Sequence, residues 1–343
     1  MSDVKMPVLQ VVDAVKHYKQ KTLTAADGKK LKNQVVKAVD GVSFELDQGE
    51  ILGIIGESGC GKSTLGRLLV KLEPLTRGDI RINGKSVCGV NTAKKNERLF
   101  FRRTVQLIFQ NPFECVDPRE TIEKVLMTPL RLHAIGADDD ERRKICLEAL
   151  ETAGMRPAED FLMRYPYELS GGQLQRISIM RSMILNPSFI VADEAISMLD
   201  VSIRADILNL LEEQTKQKKA CMVFISHDIA TTRYISNKVA VMYLGRIVEF
   251  GKTDDVMHNP IHPYTRALIS NSASIDPEEK RQFIDIKGEP PSPIGTGPGC
   301  YFAPRCYMCG ERCSTEYPPM TDNGNGHCFS CFYQKQNEKE LAQ

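Results

Sequence analysis

Gly56-Glu57-Ser58-Gly59-Cys60-Gly61-Lys62-Ser63-Thr64 is a glycine-spaced run ending in Lys-Ser-Thr, and it fits the pattern G-x-x-x-x-G-K-[ST]. Before it, Ile51-Leu52-Gly53-Ile54-Ile55 is apolar throughout, as a buried parallel strand requires. After it, Leu65-Gly66-Arg67-Leu68-Leu69-Val70 places leucines at helical spacing. Strand, loop and helix in this order predict an α/β phosphate-binding unit. The glycines let the backbone bend so that its N–H groups converge on a β-phosphate, and the helix N-terminus adds its positive end. Lys62 supplies a point charge to the β- and γ-phosphates, and Ser63 offers a hydroxyl to Mg²⁺.

The rest of the composition narrows the class. A chain of 343 residues has room for about two domains. A net charge of +1 supplies no global field for nucleic acid or an anionic membrane surface. No apolar run approaches the length of a membrane span. Met1-Ser2-Asp3-Val4-Lys5 lacks the charged-then-apolar profile of a signal peptide, so the expected location is the cytosol or a membrane face reached through other proteins. Of the eleven cysteines, six fall between Cys300 and Cys331, which points to a local metal or redox feature and not to a disulfide framework.

Val8 to Tyr18 reads as a first strand, and the basic, glycine-containing stretch from Lys19 through Lys37 as a long solvated hairpin loop. Ala38 to Leu46 alternates as a second strand, and Arg77 to Gly84 frames another between turn signals. Val105 to Gln110 is an apolar strand ending in a polar side chain that could reach Mg²⁺ or an attacking water. Asp138 to Gly154 carries Ile145, Leu147, Leu150 and Ala153 among charges, the pattern of an amphipathic helix. Leu169-Ser170-Gly171-Gly172-Gln173 is a second glycine-serine loop at a helix start, either a capped N-terminus or a second anion site. Phe189 to Ala192 is a wholly apolar strand closed by Asp193-Glu194. Adjacent carboxylates at a buried strand end are costly unless something uses them. Beside a phosphate loop, Asp193 suits the Mg²⁺ shell, and Glu194 suits orienting and deprotonating a water. Cys221 to Ser226 is one more strand, followed by His227-Asp228 at the edge where open parallel sheets bind ligands.

These residues together resemble the ATP-binding subunits of ABC transporters. Gly56 to Thr64 looks like Walker A, Phe189 to Glu194 like Walker B with its catalytic glutamate, and Leu169 to Gln173 like the signature loop. Gln110 resembles the Q-loop, Ser197-Met198-Leu199-Asp200 the D-loop and His227 the switch histidine, while Tyr18 lies where the family stacks an aromatic on adenine. The resemblance implies a RecA-like core, an antiparallel β subdomain and a helical subdomain at about 111–185, all within residues 1–258. A small cysteine-rich extension, 259–343, follows. Asn259 to Leu268, with the run His262-Pro263-Tyr264-Thr265, resembles the tail of peptide and nickel importers. So do Lys287 to Pro293 and Gly299 to Cys306. Within that group the chain is more like the second of two ATPase subunits, the F-named one. It departs from the usual pattern at Ala195 and Ile196, where proline and threonine are common, and at Met198, where alanine is usual.

The resemblance implies ATP hydrolysis driving import of di- and oligopeptides, with import of nickel or another small solute by the same machinery, or a soluble non-transport ABC ATPase, as alternatives. Expected partners are a second homologous ATP-binding subunit, two membrane permeases docking on the helical subdomain and, indirectly, an extracytoplasmic solute-binding protein, with no nucleic acid. Ser170 to Gln173 would meet the γ-phosphate held by the opposite subunit, so that ATP closes the dimer. For the cysteines, spacing offers a zinc ribbon through Cys306-x2-Cys309 and Cys328-x2-Cys331. The family tail implies a [4Fe–4S] cluster on Cys300, Cys306, Cys313 and Cys331, which is the preferred expectation. Its role would be structural or redox-sensing, since nothing in the sequence places these residues near the phosphate loop. So irregular a tail is also expected to bury little apolar surface.

Overall fold

The computed structural model describes residues 6–24, 30–272 and 283–333. Two compact units interleave along the chain.

The unit built from Val11–Phe44, Leu52–Ile80 and Ser226–Gln343 holds the phosphate loop. The loop's strand, Ile51–Ile55, is buried at every residue. It runs parallel to Lys238–Tyr243, Leu52 opposite Lys238 and Ile55 opposite Val241. Arg246–Lys252 pairs antiparallel to that strand, and Cys328–Phe329 then adds to the outer edge, Glu249 opposite Phe329. The far end of the sequence thus extends the sheet that carries the phosphate loop.

In the same unit, Leu9–Thr24 and Lys30–Leu46 are neighbouring strands of a second sheet. The stretch from Lys19 through Lys37, expected as a loop, is therefore largely strand, and its tip at 25–29 lies outside the described residues. Composition reads the side chains, whereas backbone pairing holds these arms. The returning arm also finds a distant partner: Lys37 N–H donates to Pro293 O at 3.1 Å, and Val36 bridges Ile294.

The other unit, Met1–Gln10, Glu45–Ile51 and Arg81–Ile225, contains three parallel strands. Val105–Ile108 pairs with Phe189–Asp193, which pairs with Cys221–Ile225, Asp193 opposite Ile225. The expected strand through Gln110 stops two residues earlier, leaving Gln110 in the exposed turn that follows. Helices Ile122–Leu132, Asp139–Thr152, Ala158–Leu162 and Gly171–Met183 pack on one another. Thr121, Asp138 and Ser170 cap the longer ones through side-chain oxygens. The buried stripe of Asp139–Thr152 is Cys146, Ala149 and Leu150, so its face is centred on Cys146, while Ile145 and Leu147 flank it half-buried. Among the described residues, no helix is long and apolar enough to cross a membrane.

Candidate nucleotide site and its tail

The phosphate loop turns through positive φ at Gly56 (151°), Gly59 (76°) and Gly61 (107°), and the helix Lys62–Leu69 begins directly after it. Two of these glycines are required by space as well as by angle. A Cβ on Gly56 would lie 2.2 Å from Met242 O, and one on Gly61 would lie 2.1 Å from Ala38 O. The buried Lys62 ammonium donates to Gly56 O at 2.7 Å and to Glu57 O at 2.9 Å. It is thereby held inside the loop's curve, on a scaffold that positions it as a fixed cation. Burial pushes the Cys60 thiol above its ordinary range despite the adjacent Lys62 charge, so this cysteine is a packing residue. Ser63 and Thr64 are half-buried in the helix's first turn.

Tyr18 is half-buried in the same unit, with the Lys16 ammonium 4.9 Å from its ring centroid. Its hydroxyl donates to Glu73, which also pairs with Lys16 at 3.3 Å. Burial and the Glu73 carboxylate push the phenol up to about 12, so the ring is neutral. His227 follows the strand Cys221–Ile225 and is exposed. It is bracketed by Ser226, whose N–H donates to Ile54 O at 3.3 Å, and by Asp228, which caps the next helix.

In the other unit, the structure brings Gln110 and Glu194 together. The Gln110 amide donates to Glu194 Oε2 at 3.2 Å and to Ser197 Oγ at 3.1 Å. Glu194 has φ of 49°, an uncommon left-handed conformation for a side-chain-bearing residue, locked by its N–H to Ile225 O and by Ser197 donating back to its carbonyl. Backbone strain of this kind gathers at functional sites. Asp193 ends the strand half-buried. Ser197, which sequence reading assigned only to the D-loop, is thus part of the same cluster. Ala195 and Ile196, the departures after Glu194, are buried in this chain, whereas Met198 is 63% exposed.

Ser170 and Gln173 form a reciprocal capping box, Gln173 N–H to Ser170 Oγ at 3.3 Å and Ser170 N–H to Gln173 Oε1 at 3.0 Å. Gly172 is explained by packing, since its Cβ would lie 2.8 Å from Ile203 Cγ2. Among the described residues, nothing beyond its chain neighbours and its own helix backbone lies within 4 Å of where a Cβ on Gly171 would stand. Asp200 precedes the helix Val201–Gln217, exposed and without capping it through its side chain.

The tail overturns one expectation. It packs a real core: Tyr264 and Phe329 are fully buried, Phe302 nearly so, and Tyr243, Tyr264 and Phe302 form an aromatic triangle with centroids 4.7–5.4 Å apart. Irregular spacing hid this core because the aromatics come from a helix, a turn and separate strands and not from one periodic element. The tail also reaches the phosphate loop. Arg305 forks onto the Glu57 carboxylate at 2.7 and 3.0 Å, and Tyr264 Oη accepts the Glu57 N–H at 2.8 Å. Both residues were legible only as family tail motifs, without a role. Nearby, Asp40 accepts from Tyr301 at 2.8 Å, from Arg246 at 2.8 and 3.0 Å, and contacts His17 at 2.9 Å. Desolvation would raise its pKa, but these hydrogen bonds outweigh it and leave the carboxyl lowered to about 2.

Among the described residues, no three His, Cys, Asp or Glu side chains stand grouped as a metal site. Neither the four cysteines of the cluster expectation nor the four of the zinc ribbon stand as such a group. Burial, with Cys313 and Cys331 nearby, pushes Cys300 up to about 11, and burial, with Cys300 and Cys331 nearby, pushes Cys306 up to about 12. Cys331 is raised by burial with Cys313 adding to it. Cys309 also adds to the rise of Cys306, and the Cys328 thiol, raised by burial with Asp322 adding to it, faces Gly326 O at 3.8 Å.

Known proteins are similar over the whole length. The ABC transporter family matches residues 39–197, and the family described as oligopeptide/dipeptide transporter, C-terminal region, matches residues 248–313. The chain is 41% identical to the dipeptide transport ATP-binding protein DppF of Haemophilus influenzae, covering 95% of this chain and 97% of that one. It is 40% identical to the putative oligopeptide transport ATP-binding protein YkfD of Bacillus subtilis, covering 98% of each. Among solved structures, the ATP-binding cassette MJ0796 in a dimeric post-hydrolysis state with ADP and Pi superposes with a TM-score of 0.61 at 26% identity, covering 71% of this chain and 98% of that one.

Proposed function

The chain belongs to the ATP-binding subunits of dipeptide and oligopeptide ABC transporters, and from that membership we propose that it hydrolyses ATP to drive peptide import. The observation that carries the reading is the joining of a cassette matched over 39–197 to a peptide-transporter C-terminal region matched over 248–313 in one chain. The domain reading that goes with it is a cassette over 1–258, with residues at about 111–185 contacting permeases, and an extension over 259–343.

The site roles follow from the chemistry of each residue. Gly56 to Thr64 cradle the triphosphate, with Lys62 neutralising charge that develops on the transferred phosphoryl. Mg²⁺, for which Ser63, Gln110 and Asp193 offer an all-oxygen donor set, would supply further charge neutralisation when bound. Glu194 takes the proton of the attacking water, oriented by Gln110 and Ser197, whose contacts with it support the role. His227, exposed after its strand, contacts the γ-phosphate. Tyr18 stacks on adenine. Ser170 to Gln173 and Asp200 face a nucleotide held by a second, homologous subunit. The open space at Gly171 supports this, because no contact among the described residues requires a glycine there. Met198, exposed in the D-loop, would touch that subunit, whereas the buried Ala195 and Ile196 act within the chain.

A [4Fe–4S] cluster on Cys300, Cys306, Cys313 and Cys331 is what the family resemblance implies for the extension, but among the described residues these side chains do not stand grouped as a metal site. Such a cluster would supply a cross-link. The protein is then a peripheral subunit at the cytoplasmic membrane face, held by two permeases and served by a solute-binding protein.

The test is co-expression with the candidate permeases and partner ATPase. ATP hydrolysis should be low for the chain alone and rise in the assembled complex, with peptide stimulating it when the binding protein is added. A fully active chain indifferent to the permeases would refute the transport reading. Iron and sulfide analysis of anaerobically prepared protein tests the cluster, and a single bound zinc would replace it.

A further inference from the structure

Glu57 is the second residue of the phosphate loop and the only acidic one in the run Gly56 to Thr64. A carboxylate there is unfavourable on electrostatic grounds, because the loop exists to collect polyanionic phosphate. The structure answers this charge from far along the sequence. Arg305 Nη1 meets Glu57 Oε2 at 2.7 Å and Nη2 meets Oε1 at 3.0 Å, a fork-to-fork pair. The Arg305 side chain is 7% exposed and that of Glu57 25%, so the pair is partly shielded from solvent. Its remaining donors are used as well: Nη2 to Gly288 O at 3.1 Å, Nε to Lys287 O at 3.4 Å and Nη1 to Tyr243 Oη at 3.4 Å. The guanidinium therefore has one position, fixed on three sides. Tyr264, fully buried, takes the Glu57 N–H. Backbone and side chain of Glu57 are thus both held by the extension.

We propose that Arg305 is a positioning residue for the nucleotide: it cancels the Glu57 charge and, with Tyr264, braces the phosphate loop in its phosphate-accepting shape. The extension then sets ATP affinity through a direct contact. This deepens the ATP-binding reading and rests on it. Arg305 closes the 3-10 turn Ala303–Arg305, and Cys306 N–H donates to Ala303 O at 3.3 Å, so the brace is one residue from the cysteine region.

The experiment measures binding of methylanthraniloyl-ATP to the full chain, and KM for ATP in the assembled complex. Arg305→Met leaves Glu57 ionised and unpaired and should weaken ATP by roughly tenfold or more, expressed in Kd and KM with kcat within about threefold. Arg305→Lys keeps the charge but loses the fork and should fall between the two. Combining Arg305→Met with Glu57→Gln removes the stranded charge and should recover most of the lost affinity. A merely structural Arg305 would lower thermal stability alike in the single and double variants, with no recovery of ATP binding, and that outcome overturns the proposal. So does wild-type affinity in Arg305→Met. Should Arg305→Met fail to fold, wild-type affinity in Arg305→Lys overturns it instead, and a rise in Kd that the added Glu57→Gln reverses supports it. Wild-type protein that binds no ATP would refute the functional reading itself, separately from the brace.

Discussion

Replacing Gly61 by alanine tests whether the phosphate loop is built as described, because Gly59 offers a matched control in the same loop. Both glycines sit at positive φ, 107° and 76°. Forcing an L-residue into that region costs on the order of 1–2 kcal/mol. At Gly59 that is the whole expected penalty, since among the described residues no atom beyond its chain neighbours lies within 4 Å of the added Cβ. At Gly61 the Cβ would stand 2.1 Å from Ala38 O and 3.0 Å from Met242 Cε. The first contact is to backbone and cannot be relieved by a rotamer change, so either the loop or the Ala38 strand must move by about 1 Å to reach ordinary contact. Overpacking of this kind adds roughly 1–3 kcal/mol, giving a total of about 2–5 kcal/mol for Gly61→Ala against about 1–2 for Gly59→Ala. Because the displaced segment carries the Lys62 amide and ammonium, the loss should appear in ATP affinity as well as in stability. Urea denaturation paired with methylanthraniloyl-ATP titration checks both. Gly61→Ala should weaken ATP by about a hundredfold or more, and Gly59→Ala by less than about tenfold. Equal effects of the two alanines, on stability and on affinity, would refute the close approach of Gly61 to Ala38.

Glu194→Gln should keep ATP binding while slowing hydrolysis by the assembled complex on the order of 10²-fold or more, as loss of a general base does; unchanged turnover removes Glu194 from that role. Asp40, lowered to about 2 from an ordinary 3.8, contributes stability that is fully present above pH 3.8 and is lost as pH falls through about 2. The Asp40→Asn variant should be about 2 kcal/mol less stable at pH 7 and should lack that acid-limb slope in urea melts. Burial lowers His262 to about 3 from 6.5, so its neutral form contributes stability that is present above pH 6.5 and declines as pH falls toward 3. His262→Gln should flatten the decline between those values in the same urea series.

What the sequence disclosed and what it withheld divide by the range of the interaction. The phosphate loop, the carboxylate pair and the capped glycine-serine loop were legible because each is local: a few consecutive residues of the right type in the right order specify strand, turn and helix start. Gln110 was legible for the same reason, although its strand stops at Ile108. The long arms Leu9–Thr24 and Lys30–Leu46 were misread because backbone pairing leaves little trace in a basic, mixed composition. The tail was misread more deeply. Tyr264, Tyr301, Phe302 and Phe329 show no common period, so nothing in their spacing distinguishes a packed core from an open segment, and Tyr264, Tyr301 and Phe302 pack with Tyr243 and Val248 of strands well before them in the sequence. The Glu57–Arg305 pair spans 248 positions, and each partner looks ordinary alone: a glutamate inside a tolerant motif position and an arginine beside a cysteine. The pairing nevertheless constrains how the tail is to be understood. An extension serving only as a carrier for cysteines would not need a buried arginine aimed at the phosphate loop, or a fully buried tyrosine accepting that loop's first side-chain-bearing amide. The same fold logic places Glu249, wholly buried, where it accepts from Ile261 and His262 N–H groups at 2.8 and 2.9 Å and pairs with His327 at 2.7 Å. A buried carboxylate that loses such partners is strongly destabilising. Deleting the chain after Cys306 would therefore remove the His327 partner and the Phe329 strand together, while leaving Arg305 in sequence but without the fold that holds it against Glu57.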